Sequence, residues 1–160
     1  MGTFEEYLII GISGKAGSGK TTMANYIVNK FKTNPQVSVQ EYALSTPLKR
    51  IGSALGFSMY ELYGSQESKL KINPFWKISG RDFMQMFGTM CREVLPDVIP
   101  TMDSLFIQVA EKTLIACKKK YIEEKHESAL KRGVFIISDI RYPDEAALVR
   151  KYRGVIINTE

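Results

Sequence analysis

The stretch from Tyr7 to Thr21 reads YLIIGISGKAGSGKT, and it decides the fold. Its opening is aromatic and β-branched and closes with glycine, which predicts a short buried strand over Tyr7–Ser13. Behind the glycine-rich loop that follows, apolar residues recur at helical spacing, which predicts a helix over Thr21–Phe31. The stretch therefore predicts a strand, a loop and a helix in direct succession.

The loop itself matches the pattern G-x-x-x-x-G-K-[S/T] in full, and the strand before it and the helix after it supply the context that this pattern requires. Glycines let such a loop turn its backbone N–H groups inward toward phosphate oxygens, and the helix N-terminus adds partial positive charge. Lys20 would reach the β- and γ-phosphates of ATP, and the Thr21 hydroxyl would be a ligand of Mg²⁺. The alternative is a glycine-rich turn without a ligand. The candidate nucleotide contacts are Gly14, Lys15, Ala16, Gly17, Ser18, Gly19, Lys20, Thr21 and Thr22.

Further strands are predicted over Val37–Ala43, Val134–Ser138 and Val155–Asn158. Helices are predicted from Pro47 to about Leu55, from the N-cap Ser79 to about Val94, from Met102 to about Glu124, and from Pro143 to Lys151. Residues 64–78 are polar and predicted to be irregular. Because strands alternate with helices, we expect an α/β protein in which helices flank a central, mostly parallel sheet.

The third strand runs into Asp139-x-Arg141, at the edge where parallel sheets bind ligands. A carboxylate at this edge could hold Mg²⁺ directly or through water, so Asp139 is a candidate metal ligand beside Thr21. The alternative is that Asp139 or Asp144 caps the helix that begins at Pro143.

The helix after Ser79 carries two stripes. One is apolar and predicts core packing: Phe83, Met84, Phe87, Met90, Cys91 and Val94. The other consists of Arg81, Gln85, Gly88 and Arg92, which could meet an anion and the edge of a base. A glycine inside a helix costs about 1 kcal/mol relative to alanine, which suggests a close approach at Gly88. A solvated polar face is the alternative for this stripe. Lys49 is a further candidate for contact with a phosphorylated substrate. The alternative is that it is an ordinary surface charge.

Composition limits the class of protein. A chain of 160 residues fits one domain, and its net charge of +5 suits an anionic ligand or a plain basic surface. Its two cysteines make no disulfide framework, which favours a reducing compartment. Glu5 and Glu6 stand where a signal peptide would be basic, and no apolar run is long enough for a bilayer. We expect an intracellular protein without a membrane partner.

The chain lacks an NKxD-type base-reading motif, which argues against a switch GTPase.

Four stretches, GISGKAGSGKTT, ALSTPLKR, NPFWKISGRDFMQMFGT and SDIRYPDEA, occur from Gly11 to Ala146 in the order found in deoxynucleoside monophosphate kinases of the phage, viral and bacterial type. The chain resembles this family. The resemblance implies transfer of the γ-phosphoryl of ATP to a deoxynucleoside 5′-monophosphate, with Mg²⁺. It also implies the three-layer P-loop kinase fold, in a single domain over residues 1–160. About residues 44–106 would form an acceptor-binding insertion.

The resemblance also implies site residues. Arg81, Gln85, Gly88 and Thr89 would meet the acceptor, while Asp139 and Arg141 would act at the phosphates. With Lys20, the expected catalytic residues are therefore Lys20, Arg81, Asp139 and Arg141. It further implies a homodimer and a cytoplasmic location, the host cytoplasm if a phage or virus encodes the protein.

Two other readings stay open. One is a kinase of this fold with another phosphorylated acceptor, such as phosphomevalonate or a polynucleotide 5′ end. The other is an NTP-binding module that is not a kinase, which only the basic charge favours. Aromatic and basic residues are not interleaved as in RNA-binding modules, so no nucleic-acid partner is expected.

Overall fold

The computed structural model describes residues 6–160, and these residues form two compact units. The first, here the core unit, combines the chain up to Leu44 with Ile107–Glu160. The second, here the insertion unit, comprises Ser45–Phe106, the same part of the chain as the predicted insertion of about residues 44–106. No helix among residues 6–160 is both long enough and apolar enough to cross a bilayer.

The core unit is built on four parallel strands. They are β1 (Tyr7–Ser13), β2 (Val37–Tyr42), β3 (Arg132–Ile140) and β4 (Val155–Asn158), arranged in the order β2-β3-β1-β4. Ile10 of β1 lies between Ile136 of β3 and Val155 of β4, so β1 has a neighbour on each side. Since all strands run the same way, their carboxyl ends share one edge, and the loop after β1 opens at that edge.

Helices cover both faces of this sheet. The helix α1 (Lys20–Lys32) packs on the face that carries Ile10, Ile12, Val134 and Ile136. The helices α7 (Leu105–Lys125) and α8 (Pro143–Lys151) pack on the opposite face, against Ile9, Phe135 and Ile137. Successive residues of a strand point to opposite faces, which explains the split of β1 and β3 between two cores. The expected three-layer α/β fold is confirmed.

One irregularity in β3 sets the position of Asp139. Gly11 pairs with Ile137 and Ser13 pairs with Ile140, so β3 has one residue more than β1 over this interval. Such a bulge reverses the alternation of faces. As a result Ile140, and not Asp139, joins the buried cluster that contains Ile137. Gly11 makes room for this arrangement, because a Cβ there would lie 2.4 Å from Cδ1 of Ile140.

The insertion unit is helical. It contains α2 (Thr46–Ala54), α3 (Met59–Tyr63), α4 (Gln66–Leu70), α5 (Gly80–Glu93), α6 (Leu95–Val98) and a 3₁₀ turn over Pro100–Met102. Two small apolar clusters hold it, one around Leu48, Cys91 and Phe106 and the other around Phe57, Leu62 and Phe83. Met84 and Phe87 of α5 pack against both clusters, so α5 is the central helix of the unit.

Most predicted elements lie within two or three residues of the observed ones, including the Ser79 N-cap, whose Oγ accepts a hydrogen bond from Asp82 N. Two expectations were wrong, those for residues 64–78 and for Met90 and Val94, and two element boundaries are shifted. Residues 64–78 contain α4, whose N-cap Ser65 accepts a hydrogen bond from Ser68 N. β3 extends past Ser138 to Ile140, so Asp139 lies within the strand. The long helix begins at Leu105 and not at Met102, which belongs to the 3₁₀ turn. Met90 and Val94 lie 54% and 52% exposed, because only part of the apolar stripe of α5 faces the clusters.

Candidate functional site

The loop between β1 and α1 has the conformation that its glycines predict. The φ angles of Gly14, Gly17 and Gly19 are 150°, 78° and 92°, in a region that residues with a Cβ rarely adopt. A Cβ on Gly17 or Gly19 would meet nothing within 4 Å, so backbone conformation, and not space, calls for glycine there. At Gly14 there is also no space for a side chain, because a Cβ there would lie 2.3 Å from Thr159 Oγ1 and 2.4 Å from Ser18 Oγ.

The N-terminus of α1 is left open for an anion. Its N-cap is Gly19, and within residues 6–160 no side chain caps it and no acidic residue lies in its first turn. The first backbone N–H groups of a helix carry partial positive charge and need acceptors. A phosphate group supplies both a negative charge and acceptor oxygens. Thr21 and Thr22 lie exposed at this helix end.

Lys20 lies against the loop that it follows. The residue is 8% exposed, and its Nζ donates hydrogen bonds to the carbonyl oxygens of Gly14 and Lys15, at 2.6 and 2.7 Å. Burial lowers the pKa of Lys20 below its ordinary value, and the Arg141 guanidinium lowers it further. The carboxylates of Asp139 and Glu160 raise that pKa and partly oppose both effects.

Asp139 and Arg141, two of the expected catalytic residues, lie near enough to Lys20 to change its pKa. Asp139 is half-buried, and its Oδ1 accepts a hydrogen bond from Leu44 N at 2.6 Å. Arg141 is exposed, and its backbone N–H donates to Glu145 Oε2 at 2.7 Å. The buried Glu145 also accepts from Tyr142 N, and in this way it holds the turn that presents Arg141.

These contacts bear on the capping alternative for Asp139. Glu145 meets the backbone N–H groups of Arg141 and Tyr142 at the start of α8, and Asp144 Oδ1 accepts from Glu145 N. The hydrogen bond of Asp139 to Leu44 N instead ties β3 to the segment that follows β2. Asp144, the second acid in that alternative, accepts from a backbone N–H group in the first turn of α8.

Oxygen donors available at this edge suit Mg²⁺. The Thr21 hydroxyl and the Asp139 carboxylate are hard oxygen ligands of the kind that Mg²⁺ prefers. Among residues 6–160 no group of three or more His, Cys, Asp or Glu side chains could hold a metal ion.

The residues expected to meet the acceptor lie in the insertion unit, mostly on α5. Arg81 is half-buried and its guanidinium contacts Gln66 Oε1 on α4. Gln85 and Thr89 are exposed, and the Thr89 hydroxyl donates to the carbonyl oxygen of Gln85. Lys49 on α2 lies with Nζ 4.6 Å from the ring centre of Tyr63. These side chains have polar ends that an anion could use.

Gly88 has a packing explanation. A Cβ at this position would lie 3.2 Å from Leu48 Cδ1 and 3.2 Å from Arg92 Nη1, which is tighter than ordinary contact. The close approach that the sequence suggested at Gly88 is therefore that of α2 against α5.

Sequence reasoning missed two residues at the phosphate loop. Thr159 Oγ1 lies 2.6 Å from Ser18 Oγ, and Glu160 Oε1 accepts a hydrogen bond from Lys15 N at 2.7 Å. β4 is parallel to β1 and adjacent to it, so the residues after Asn158 must emerge beside the loop. The predicted strand Val155–Asn158 indicates that Thr159 and Glu160 lie near the loop only if the position of this strand beside β1 is known.

A parallel sheet whose first strand leads through a glycine loop into a helix, with a lysine held inside the loop, defines a P-loop nucleotide-binding protein. The family model described as "KAP family P-loop domain" matches residues 2–148, and the chain belongs to that family. A protein of Acanthamoeba polyphaga mimivirus, named "Putative deoxynucleotide monophosphate kinase", is 25% identical over 156 residues, which cover 96% of this chain and 74% of that relative. Both matches support the family resemblance inferred from the sequence. No solved structure matches the chain with significance.

Proposed function

We propose that this P-loop protein transfers the γ-phosphoryl group of ATP to a nucleoside or deoxynucleoside 5′-monophosphate, giving the diphosphate and ADP. One observation carries the proposal: the buried Lys20 lies against a phosphate loop whose glycines have positive φ angles, at the uncapped N-terminus of α1. The name of the mimiviral relative, which calls that protein a kinase of deoxynucleotide monophosphates, supports the same reaction.

Lys20 and the loop would bind the phosphates of ATP. In the structure the ammonium group of Lys20 donates to two carbonyl oxygens of its own loop. Exchange of these neutral acceptors for anionic phosphate oxygens gives stronger, charge-assisted hydrogen bonds. The backbone N–H groups of the loop and of the first turn of α1 would meet the remaining phosphate oxygens.

Thr21 and Asp139 would hold Mg²⁺ at the phosphates, and the bound ion would supply neutralising positive charge there. Arg141 is exposed and lies near enough to Lys20 to lower its pKa, so it can add a second positive charge at the phosphates. Phosphoryl transfer needs mainly such positioning and charge stabilisation, and little covalent chemistry by the protein.

Arg81 would hold the phosphate of the acceptor, because a guanidinium group matches a phosphate with two parallel hydrogen bonds. Gln66 already contacts the Arg81 guanidinium and would orient it. Gln85, Thr89 and Lys49 are proposed as further acceptor contacts, and so is the backbone at Gly88. No general base is needed, because an acceptor phosphate with a second pKa near 6 is largely dianionic at neutral pH.

The test is ADP release from ATP with Mg²⁺ in the presence of each nucleoside and deoxynucleoside monophosphate in turn. Arg81→Ala should lower acceptor-dependent turnover by about 10³-fold or more while ATP still binds. Lys20→Met should abolish ATP binding. Arg150→Ala, which removes an exposed arginine of α8, is the control and should behave like the wild type. Acceptor-dependent release that survives Arg81→Ala would refute the role of Arg81.

The second candidate is NTP hydrolysis without a phosphorylated acceptor. The family match favours it, because a P-loop domain of this family need not be a kinase. The same assay separates the two functions, since a hydrolase releases ADP at a rate that no monophosphate changes. Phosphomevalonate and a 5′-hydroxyl oligonucleotide complete the panel as other acceptors. A homodimer and a cytoplasmic location remain proposals, to be checked by light scattering and by fractionation.

A further inference from the structure

The segment that follows β4 lies against the phosphate loop at several points. Thr159 N and Thr159 Oγ1 both donate to the carbonyl oxygen of Ser13, at 3.0 and 3.1 Å. Thr159 Oγ1 also shares a hydrogen bond of 2.6 Å with Ser18 Oγ, in a partly buried position. Glu160 Oε1 accepts from Lys15 N at 2.7 Å. These contacts reach the residue before the loop and two residues within it.

We propose that Thr159 is a positioning residue of the nucleotide site: its hydroxyl, bridged to that of Ser18, holds the phosphate loop in the conformation that binds ATP. This inference rests on the proposed role of the loop in ATP binding. Thr159 itself need not touch the nucleotide, and it acts through Ser13 and Ser18.

The bridge occupies a space that only glycine leaves open. The Thr159 and Ser18 hydroxyl oxygens lie 2.3 and 2.4 Å from the place that a Cβ of Gly14 would take. Gly14, Ser18 and Thr159 therefore form one packed arrangement, in which the first glycine of the motif admits a hydrogen-bonded pair of hydroxyl groups. This arrangement fixes the loop at its start and at its fifth residue.

A loop with three glycines at positive φ is costly to order, because glycine loses more conformational freedom than any other residue. If the loop were loose, ATP binding would bear that cost, and the affinity would fall. The bridge orders part of the loop before ATP arrives. Its loss should therefore weaken ATP binding without a comparable effect on the binding of the acceptor.

The decisive variant is Thr159→Val, which keeps the shape of threonine and removes the hydroxyl. This variant loses the hydrogen bonds of the hydroxyl to Ser18 and to the Ser13 carbonyl, and we expect the Kd for ATP with Mg²⁺ to rise about fivefold or more. Calorimetry measures this Kd. The KM for ATP should rise in step while the KM for the monophosphate stays unchanged. Thr159→Ser, which restores the hydroxyl, should recover most of the affinity.

Thr113→Val is the matched control. The Thr113 hydroxyl of α7 is also partly buried and donates to a backbone carbonyl, that of Val109, at 2.8 Å. Its loss should leave the Kd for ATP unchanged. In the nucleotide-free protein, the double variant Ser18→Ala with Thr159→Val should loosen the loop no more than Thr159→Val alone, because the valine has already broken the bridge.

Amide hydrogen exchange in the nucleotide-free protein gives a readout that does not depend on ATP binding. Thr159→Val should accelerate exchange of the N–H groups of residues 14–20, and Thr113→Val should not. If the wild type binds no nucleotide, the proposed function fails, and the exchange data still decide whether Thr159 orders the loop. Unchanged exchange together with an unchanged Kd would overturn the inference, and so would a double variant in which these N–H groups exchange faster than in Thr159→Val.

Discussion

Two substitutions of Asp139 can separate the contribution of its carboxylate to stability from its contribution to activity. Its Oδ1 accepts a hydrogen bond of 2.6 Å from the backbone N–H of Leu44, a residue that is 4% exposed. The same carboxylate raises the pKa of Lys20 and is the proposed ligand of Mg²⁺. Asp139→Asn keeps an acceptor oxygen and removes the charge, whereas Asp139→Ala removes both.

The free energies of unfolding of the two variants should differ. Asp139→Ala leaves the N–H group of Leu44 without that acceptor in a buried setting, which costs roughly 2 kcal/mol. For a chain of this length, this corresponds to a fall in Tm of about 4–8 °C. Asp139→Asn retains a weaker, neutral hydrogen bond and should cost less than about 1 kcal/mol. Both variants should lose acceptor-dependent turnover, because neither has the charge.

Urea unfolding followed by circular dichroism measures the stability, and the ADP-release assay measures turnover. Asp144→Ala is the control, since the exposed Asp144 carboxylate also accepts from a backbone N–H, that of Glu145. It should retain turnover and lose at most about 1 kcal/mol. Equal stabilities of Asp139→Ala and Asp139→Asn would refute the structural role of the contact with Leu44. An Asp139→Asn variant with wild-type turnover would refute the role of the charge.

Three further predictions follow from other contacts. Gly11→Ala would place a Cβ 2.4 Å from Ile140 Cδ1, so it should destabilise the protein by about 1–3 kcal/mol and lower the urea midpoint without changing the slope. Because burial lowers the pKa of Lys20, ATP affinity measured by calorimetry should weaken as the pH approaches 10.5 from below, before an exposed lysine would lose its charge. Hydrogen bonds from Lys151 and Tyr152 lower the pKa of Glu111, so the Glu111 carboxylate contributes stability above pH 4.5 that disappears as the pH falls below this value. Glu111→Gln should therefore cost about 1 kcal/mol at neutral pH, a value discounted because Lys151 is 62% exposed, and should match the wild type in acid.

The elements that the sequence predicted well are those with strong local signals. The glycine loop needs backbone angles that only glycine adopts freely, and Ser79 accepts the hydrogen bond that its place before α5 indicates. At α8, Pro143 opens the helix and Gly154 follows it, as local preferences require. These features arise within a few residues of the chain, so a single sequence contains enough information to place them.

The short helix α3 was missed although a local signal for it exists. Ser58 and Glu61 form a capping box, in which Ser58 N donates to Glu61 Oε2 and Glu61 N donates to Ser58 Oγ. The bulge in β3 has no comparable signal, because it is defined by pairing with β1. For that reason the sequence could place Asp139 near the sheet edge but could not show that its carboxylate meets Leu44 N.

The phosphate loop shows why a local motif predicts a ligand better than it predicts an affinity. Its pattern occupies residues 14–21, yet Ser18 is bridged to a residue 141 positions further along the chain. That contact exists because β4 pairs with β1, and strand order depends on packing of the whole sheet. Two chains with the same loop sequence can therefore differ in how far the loop is ordered before ATP binds. In this protein the difference should be found at Thr159, since its hydroxyl, together with that of Ser18, fills the space left by Gly14.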